Sequence, residues 1–331
     1  GIPDTTDGKF SVSNLQILTI VTGDPVEMFY DLALTDADGD SVIIPNAIDI
    51  TLEPVASPVV MDLDGDGLEF IAMDGKSAYG FDFYGDGTKE MSAWVGPDDG
   101  FLVFDANGDR TVNDGSEFVF ANLTVAADTD LEALRYLFDS NEDGYLTKDD
   151  EAFDSFGVWQ DANGDHISDP SEFKTLKQLK IDSIDLNGDG MSYETADGQV
   201  NVYGEATFSG KQGKNITEGK LGDVSLEIGG EIFDYNAISD STPDDPDTIS
   251  GFDAIEDIID VSDIDANVLT DVDDEAFLYG GNNSEVVANS ITWHQADGNT
   301  YVQGDVNGDT VSDFEIEITG LHNLDDSDFV L

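Results

Sequence analysis

The chain has 331 residues, with 73 acidic against 12 basic side chains, a formal net charge of −61, no cysteine, and 39% hydrophobic and 10% aromatic residues. No Lys or Arg follows Lys220, so repulsion excludes nucleic acid and anionic membrane surfaces as partners; thiol chemistry is excluded outright, and no apolar run reaches the ~18 residues of a membrane span. The apolar content is too high for a disordered acidic tail, yet the carboxylates oppose compaction; the two facts agree if bound cations neutralise the acids as the chain folds.

Taken in chain order, residues 1–53 read as β-rich, with short runs at Leu15–Val21 and Val26–Leu32 bounded by turn residues. Between them and the next run, Asp36, Asp38 and Asp40 alternate in a turn. This turn resembles the calcium-binding linker of bacterial adhesin immunoglobulin-like repeats, and the segment is expected to be the end of such a repeat or a β linker. A plain acidic hairpin loop is the alternative.

Residues 54–230 carry most of the acidic turns. Alternating carboxylates in a Gly-bearing turn aim several oxygens at one centre, which is what Ca²⁺ requires with its six to eight hard oxygens at roughly 2.3–2.6 Å. Asp62, Asp64 and Asp66 form the first such turn and are expected to borrow further ligands, Asp82 or Asp86 being candidates. Asp105, Asn107 and Asp109 form the second, with Glu117 one place late for the usual spacing. Helical periodicity over Leu131–Phe138 leads into the closest match to an EF-hand loop. There Asp139, Asn141 and Asp143 offer side chains, Gly144 makes the sharp turn, Tyr145 offers its carbonyl and Asp150 closes the loop in place of the usual Glu. A helix is expected to follow from Asp149 to Phe156. The next loop has Asp161, Asn163, Asp165, the Ile167 carbonyl and Glu172, but His166 where Gly is usual. A second helix is expected from Glu172 to Leu179. Asp185–Asp189 has no clear terminal acid, and a plain turn is an equal reading.

Residues 231–331 read as an acidic all-β domain with a further turn at Asp305, Asn307 and Asp309. The expected fold class is therefore α+β multidomain: a β-rich N-terminal segment, an EF-hand-like middle domain and an all-β C-terminal domain. Several Ca²⁺ ions are the expected cofactors.

Two stretches carry family resemblances. Pro58–Gly67, reading PVVMDLDGDG, and Val158–Asp165 through Leu176, Leu179 and Ile184 resemble the self-processing module of RTX (repeats-in-toxin) proteins and adhesins. The resemblance implies calcium-triggered cleavage of the chain's own Asp–Pro bond just ahead of the acidic turn, through an Asp anhydride that water or a lysine amine of another chain then opens. Gln303–Asp309 and the closing Asp328–Leu331 resemble the C-terminal β domain of serralysin-type secreted proteins. That likeness implies an uncleaved signal for the type I secretion machinery and a secreted or bacterial cell-surface location. No convincing nonapeptide array of the RTX type is present.

At the position of cleavage the sequence departs from the family. Ser57 precedes Pro58, and serine has no carboxylate with which to form the anhydride. Either the nucleophilic Asp has been replaced to keep the chain intact, or a natural homologue has lost cleavage. A non-catalytic calcium-rigidified structural and secretion module is thus the competing expectation. Other catalytic chemistry has no support: His166, His294 and His322 are scattered, and no metalloprotease helix motif occurs.

Overall fold

Apolar runs of three to five residues between acidic turns leave little room for helices, and the chain pairs these runs as strands. The computed structural model describes residues 26–35, 41–52, 55–73, 79–124, 126–212, 215–270 and 275–331. It divides into two units, Gly1–Pro54 and Val55–Leu331. In the first, β1 (Val26–Thr35) and β2 (Ser41–Leu52) form an antiparallel ribbon with one irregularity between Tyr30 and Leu32. The candidate ligands Asp36, Asp38 and Asp40, and the strand expected at Leu15–Val21, lie outside the described residues.

The second unit opens with β3 (Val55–Ala56), β4 (Val59–Met61), β5 (Phe70–Ile71), β6 (Lys89–Ser92), β7 (Trp94–Val95) and β8 (Gly100–Phe104). Then come α1 (Asp130–Phe138), β9 (Tyr145–Thr147), β10 (Phe156–Trp159), β11 (Phe173–Thr175), α2 (Leu176–Leu179), β12 (Ile181–Asp185), β13 (Tyr193–Thr195), β14 (Val200–Gln212) and β15 (Asn215–Asp234). The main sheet runs β11-β10-β8-β4-β15-β14-β12-β9, with β3, β6 and β17 (Ile258–Asp260) also paired to β15. A separate five-stranded sheet has the order β16-β21-β20-β19-β18, formed by Asp247–Ile249, Phe314–Ile318, Asn299–Gly304, Ser290–Ala296 and Leu278–Asn282. The last strand, β22 (Phe329–Val330), lies parallel to β17.

This architecture corrects the expected α+β class with an EF-hand-like helical middle domain. Among the described residues there are two α-helices, of nine and four residues, and the middle region is predominantly sheet. The helix expected after Asp150 is a single 3-10 turn, Phe153–Ser155, running straight into β10. The helix expected from Glu172 begins instead as β11, leaving only α2. The reason is packing: Phe156, Val158 and Trp159 are all buried, and a strand can present alternate residues to the two opposite faces of a sheet that is covered on both.

Those two faces hold different cores. One is aromatic, built on Phe81, Phe83, Trp94, Phe101, Phe118 and Trp159. The other packs Leu131, Ala133 and Leu134 of α1 on Val59, Met61, Phe120, Leu146, Phe156 and Ile184. Each fully buried large apolar side chain contributes about 1.5–3 kcal/mol. A third core, with Tyr235, Phe252, Trp293, Phe314 and Phe329, fills the C-terminal region. No helix among the described residues is long and apolar enough to cross a membrane.

Candidate functional site

Ser57 and Pro58 occupy the gap between β3 and β4, against β15. The register runs Ala56↔Leu226 before the gap and Val59↔Asp223 after it. Two residues lie between these pairs on each strand, so the register is kept, Ser57 faces Ser225 and Pro58 faces Val224. The Val224 N–H donates to the Pro58 carbonyl at 3.1 Å. Pro58 is buried and Ser57 half-buried. Proline leaves this rung with a single hydrogen bond, since it has no N–H to return to the strand it faces.

Four residues on, the chain leaves β4 into the first acidic turn. Asp62 is buried and accepts the Gly65 N–H at 2.6 Å, while Asp64 accepts the Asp66 N–H at 3.1 Å. The remote acid that lies near this turn is Asp99, and the candidates Asp82 and Asp86 are not in the group. Carboxylate oxygens of Asp62, Asp64 and Asp99 lie within 4.8 Å of one another, and Asp66 is outside that trio. Asp99 is buried and accepts N–H groups from Leu63 (3.3 Å) and Glu69 (2.8 Å), which ties the turn to the start of β8. Burial raises its pKa to about 6. Asp66 is raised by hydrogen bonding and repulsion from Asp64. All the donors brought together are carboxylate oxygens, a set that suits a hard cation such as Ca²⁺. Asp82 instead organises its own turn, accepting from Gly85 at 2.6 Å and Gly87 at 2.9 Å.

The longer loops share one internal plan although their flanking elements differ. In the loop from Asp139, Asp139 accepts from Asp143 and Gly144, Asn141 from Asp143, and Asp143 from Tyr145. Asp150 then closes it, its two oxygens accepting from Ser140 (2.8 Å) and Thr147 (2.9 Å). In the loop from Asp161, Glu172 closes in the same way onto Ala162 (3.0 Å) and Asp169 (3.2 Å). Asn163 and Asp165 are bonded to each other, and Asp165 accepts from Ile167. In the loop from Asp105, Glu117 accepts from Asn113 at 2.9 Å, so the late acid reaches back to the same place. Asn107 accepts from Asp109, and Asp109 from Thr111. Asp305 is buried, Asn307 accepts from Asp309, and Asp309 from Val311. Here Asp313, which the sequence reading passed over, closes the loop through Val306 at 3.0 Å and Asn307 at 2.9 Å. Its signal was an acid eight residues after the first.

The residue after the third ligand is left-handed in each loop: Gly144 (φ 84°), His166 (59°), Arg110 (64°) and Thr310 (64°). His166 tolerates this because its ring stacks on Trp94 at 3.9 Å, and Trp94 Nε1 donates to Asp161 at 2.8 Å. Burial holds the imidazole neutral, with a pKa near 4. Asp185 accepts from the backbone and side-chain N–H groups of Asn187, whose amide also reaches the Gly144 carbonyl at 3.1 Å.

With this geometry in place, two comparisons with known proteins bear on it. A family model described as the SPM domain matches residues 59–227, from the start of β4 well into β15. The iron-regulated protein FrpA of Neisseria meningitidis serogroup C is 35% identical over 176 residues, 52% of this chain. The match covers 15% of that relative's length.

Proposed function

We propose that this chain, which belongs to the SPM-domain family, is a calcium-dependent self-processing segment of an exported adhesin-like protein, silenced at its cleavage position by Ser57. The observation that carries the reading is the placement of Ser57–Pro58: a half-buried residue and a buried proline fixed in a sheet, four residues ahead of the Asp62–Asp64–Asp99 trio. A carboxylate at position 57 would sit next to its own main-chain carbonyl with the backbone already immobilised. Such pre-orientation replaces a costly search with a proximity effect. Residues Asp62, Asp64 and Asp99 would hold Ca²⁺ beside this segment, where the ion supplies the charge neutralisation that lets three acids share one turn. The loops closed by Asp150, Glu172, Glu117 and Asp313 would hold further ions. After cleavage the anhydride at position 57 would meet water or a lysine amine of another chain. Export through a type I machinery, to a secreted or surface location, belongs to the same proposal.

A second reading has its own observation. Serine at 57 lacks the nucleophile, so the chain as it stands would serve as a calcium-rigidified structural module. Intact mass and a denaturing gel, before and after millimolar Ca²⁺, separate the two on this chain and on Ser57→Asp. Splitting of the variant alone between positions 57 and 58 supports self-processing. If neither splits while both gain structure, the structural reading stands and the catalytic one is lost.

A further inference from the structure

The Pro58 nitrogen cannot leave as an anion, so any cleavage by the proposed route needs an acid close to it. The alternation of side chains along β3, β4 and β15 indicates one. Ala56 and Val60 lie in the aromatic core with Val224 and Leu226, while Val59 and Met61 lie in the opposite core with Leu221. Since successive residues of a strand point to opposite faces, Ser57, Val59, Asp223 and Ser225 share the face that α1 covers. Asp223 is in register with Val59, one residue from Pro58 on the partner strand, and diagonal to residue 57. Diagonal neighbours are within reach of longer side chains.

Asp223 is only 3% exposed, in the middle of a strand. Its carboxyl accepts the Asp130 and Leu131 N–H groups at the start of α1, each at 3.2 Å. Asp130, fully buried beside it, turns away and accepts from Phe120 (2.8 Å) and Ala121 (2.6 Å). The groups acting on Asp223 are Thr129, Asp130 and Glu132 of the α1 start; the described ion pairs, Lys89–Asp234 and Lys220–Glu205, involve neither buried acid. Burial raises both carboxyls above the usual range, and neighbouring acids add to it.

We propose that Asp223 is the acid that protonates the Pro58 nitrogen as the 57–58 bond breaks. The inference rests on the self-processing reading. With Ser57→Asp, a side-chain oxygen at 57 bonds to the residue's own carbonyl carbon, and the bond from that carbon to the Pro58 nitrogen breaks. The nitrogen takes the proton of Asp223 and leaves as a secondary amine, with a cyclic anhydride upstream and a carboxylate at 223. Water adds to the anhydride, giving two carboxyl groups, and one of its protons returns to Asp223.

The test uses the full chain carrying Ser57→Asp, alone and combined with Asp223→Asn, Asp223→Glu or Asp130→Asn. Cleavage rates are followed by intact mass in millimolar Ca²⁺ across pH, with near-ultraviolet circular dichroism as the folding control. Loss of a general acid slows a reaction by roughly 10²–10⁴-fold. Asp223→Asn is expected to show that loss while folded, and to abolish the alkaline fall of the rate profile. Asp130→Asn should keep that fall, and Asp223→Glu should keep cleavage with the fall displaced. Cleavage of Asp223→Asn at the parent rate and profile overturns the assignment and leaves self-processing intact. If Asp223→Asn does not fold, Asp223→Glu decides: an unmoved alkaline limb overturns the assignment. A folded Ser57→Asp chain that never cleaves overturns both proposals.

Discussion

His166 takes a left-handed backbone position, and its ring stacks on Trp94. A side chain without that contact keeps the strain and loses the stacking, which is worth ~0.5–1.5 kcal/mol for aromatic pairs. His166→Ala is therefore expected to destabilise the unit by about 1–2 kcal/mol in urea unfolding, whereas His166→Gly should lose less, because the strain goes with the ring. A different residue sets a pH response. Glu90 is 1% exposed, and burial, partly offset by the Phe83 N–H at 3.0 Å, raises its pKa to about 8. Folded, it holds its proton up to about pH 8; unfolded, it ionises in the ordinary carboxyl range. The unfolded state thus binds fewer protons between those limits, and stability falls as pH rises through that window. Glu90→Gln should remove this contribution: the variant should gain on the parent from pH 5 to pH 8 in calcium-free thermal melts, and parallel curves would refute the assignment.

At the scale of elements, the trio of Asp62, Asp64 and Asp99 joins two segments that are remote in sequence. Asp99→Asn removes one oxygen charge and weakens the acceptor for Leu63 and Glu69. Calorimetric titration should show calcium affinity falling by roughly ten-fold or more, and Asp66→Asn, outside the trio, should cost less; the reverse order would place the ion elsewhere. The loops could be read from the sequence because their logic is local. Asp139, Asn141, Asp143 and Gly144 carry it in consecutive positions, and the helix ahead of them is where the apolar spacing puts it. The sheet was not readable in the same way. A four-residue buried run such as Phe156–Trp159 has the same composition whether it is a strand or a helical turn, and the loop's likeness to an EF-hand favoured helices that tertiary packing did not supply. Asp99 and Asp223 escaped for a further reason. A buried acid outside an alternating acidic turn carries no local pattern to announce it, and its role appears only when partners tens of residues away arrive.

For the whole molecule, the formal charge of −61 opposes compaction, and on the proposed reading bound cations offset it. Chelation should lower the thermal midpoint and erase the near-ultraviolet signals of Trp94 and Trp159. Monovalent salt, which shortens the screening length to ~10 Å at 0.1 M, should restore part of the midpoint but not those signals. Full recovery in salt alone would mean that screening, not coordination, sets the fold.

The direction of β15 has a mechanical consequence. Residue 55 and the C-terminal part of β15 lie at the same end of their antiparallel pairing, since Val55 faces Glu227 and the strand runs on to Asp234. A tensile load applied upstream of Val55 and downstream of Asp234 would open this pairing like a zipper, one rung at a time, rather than shearing all rungs together. Ile228–Asp234 of β15, held by β6 and β17, bear that load first, and the two rungs of β3 and then Ser57–Pro58 follow. A chain pulled from these two sides would therefore feel the load at Ser57–Pro58 only after the flanking pairings had opened, which shields the site.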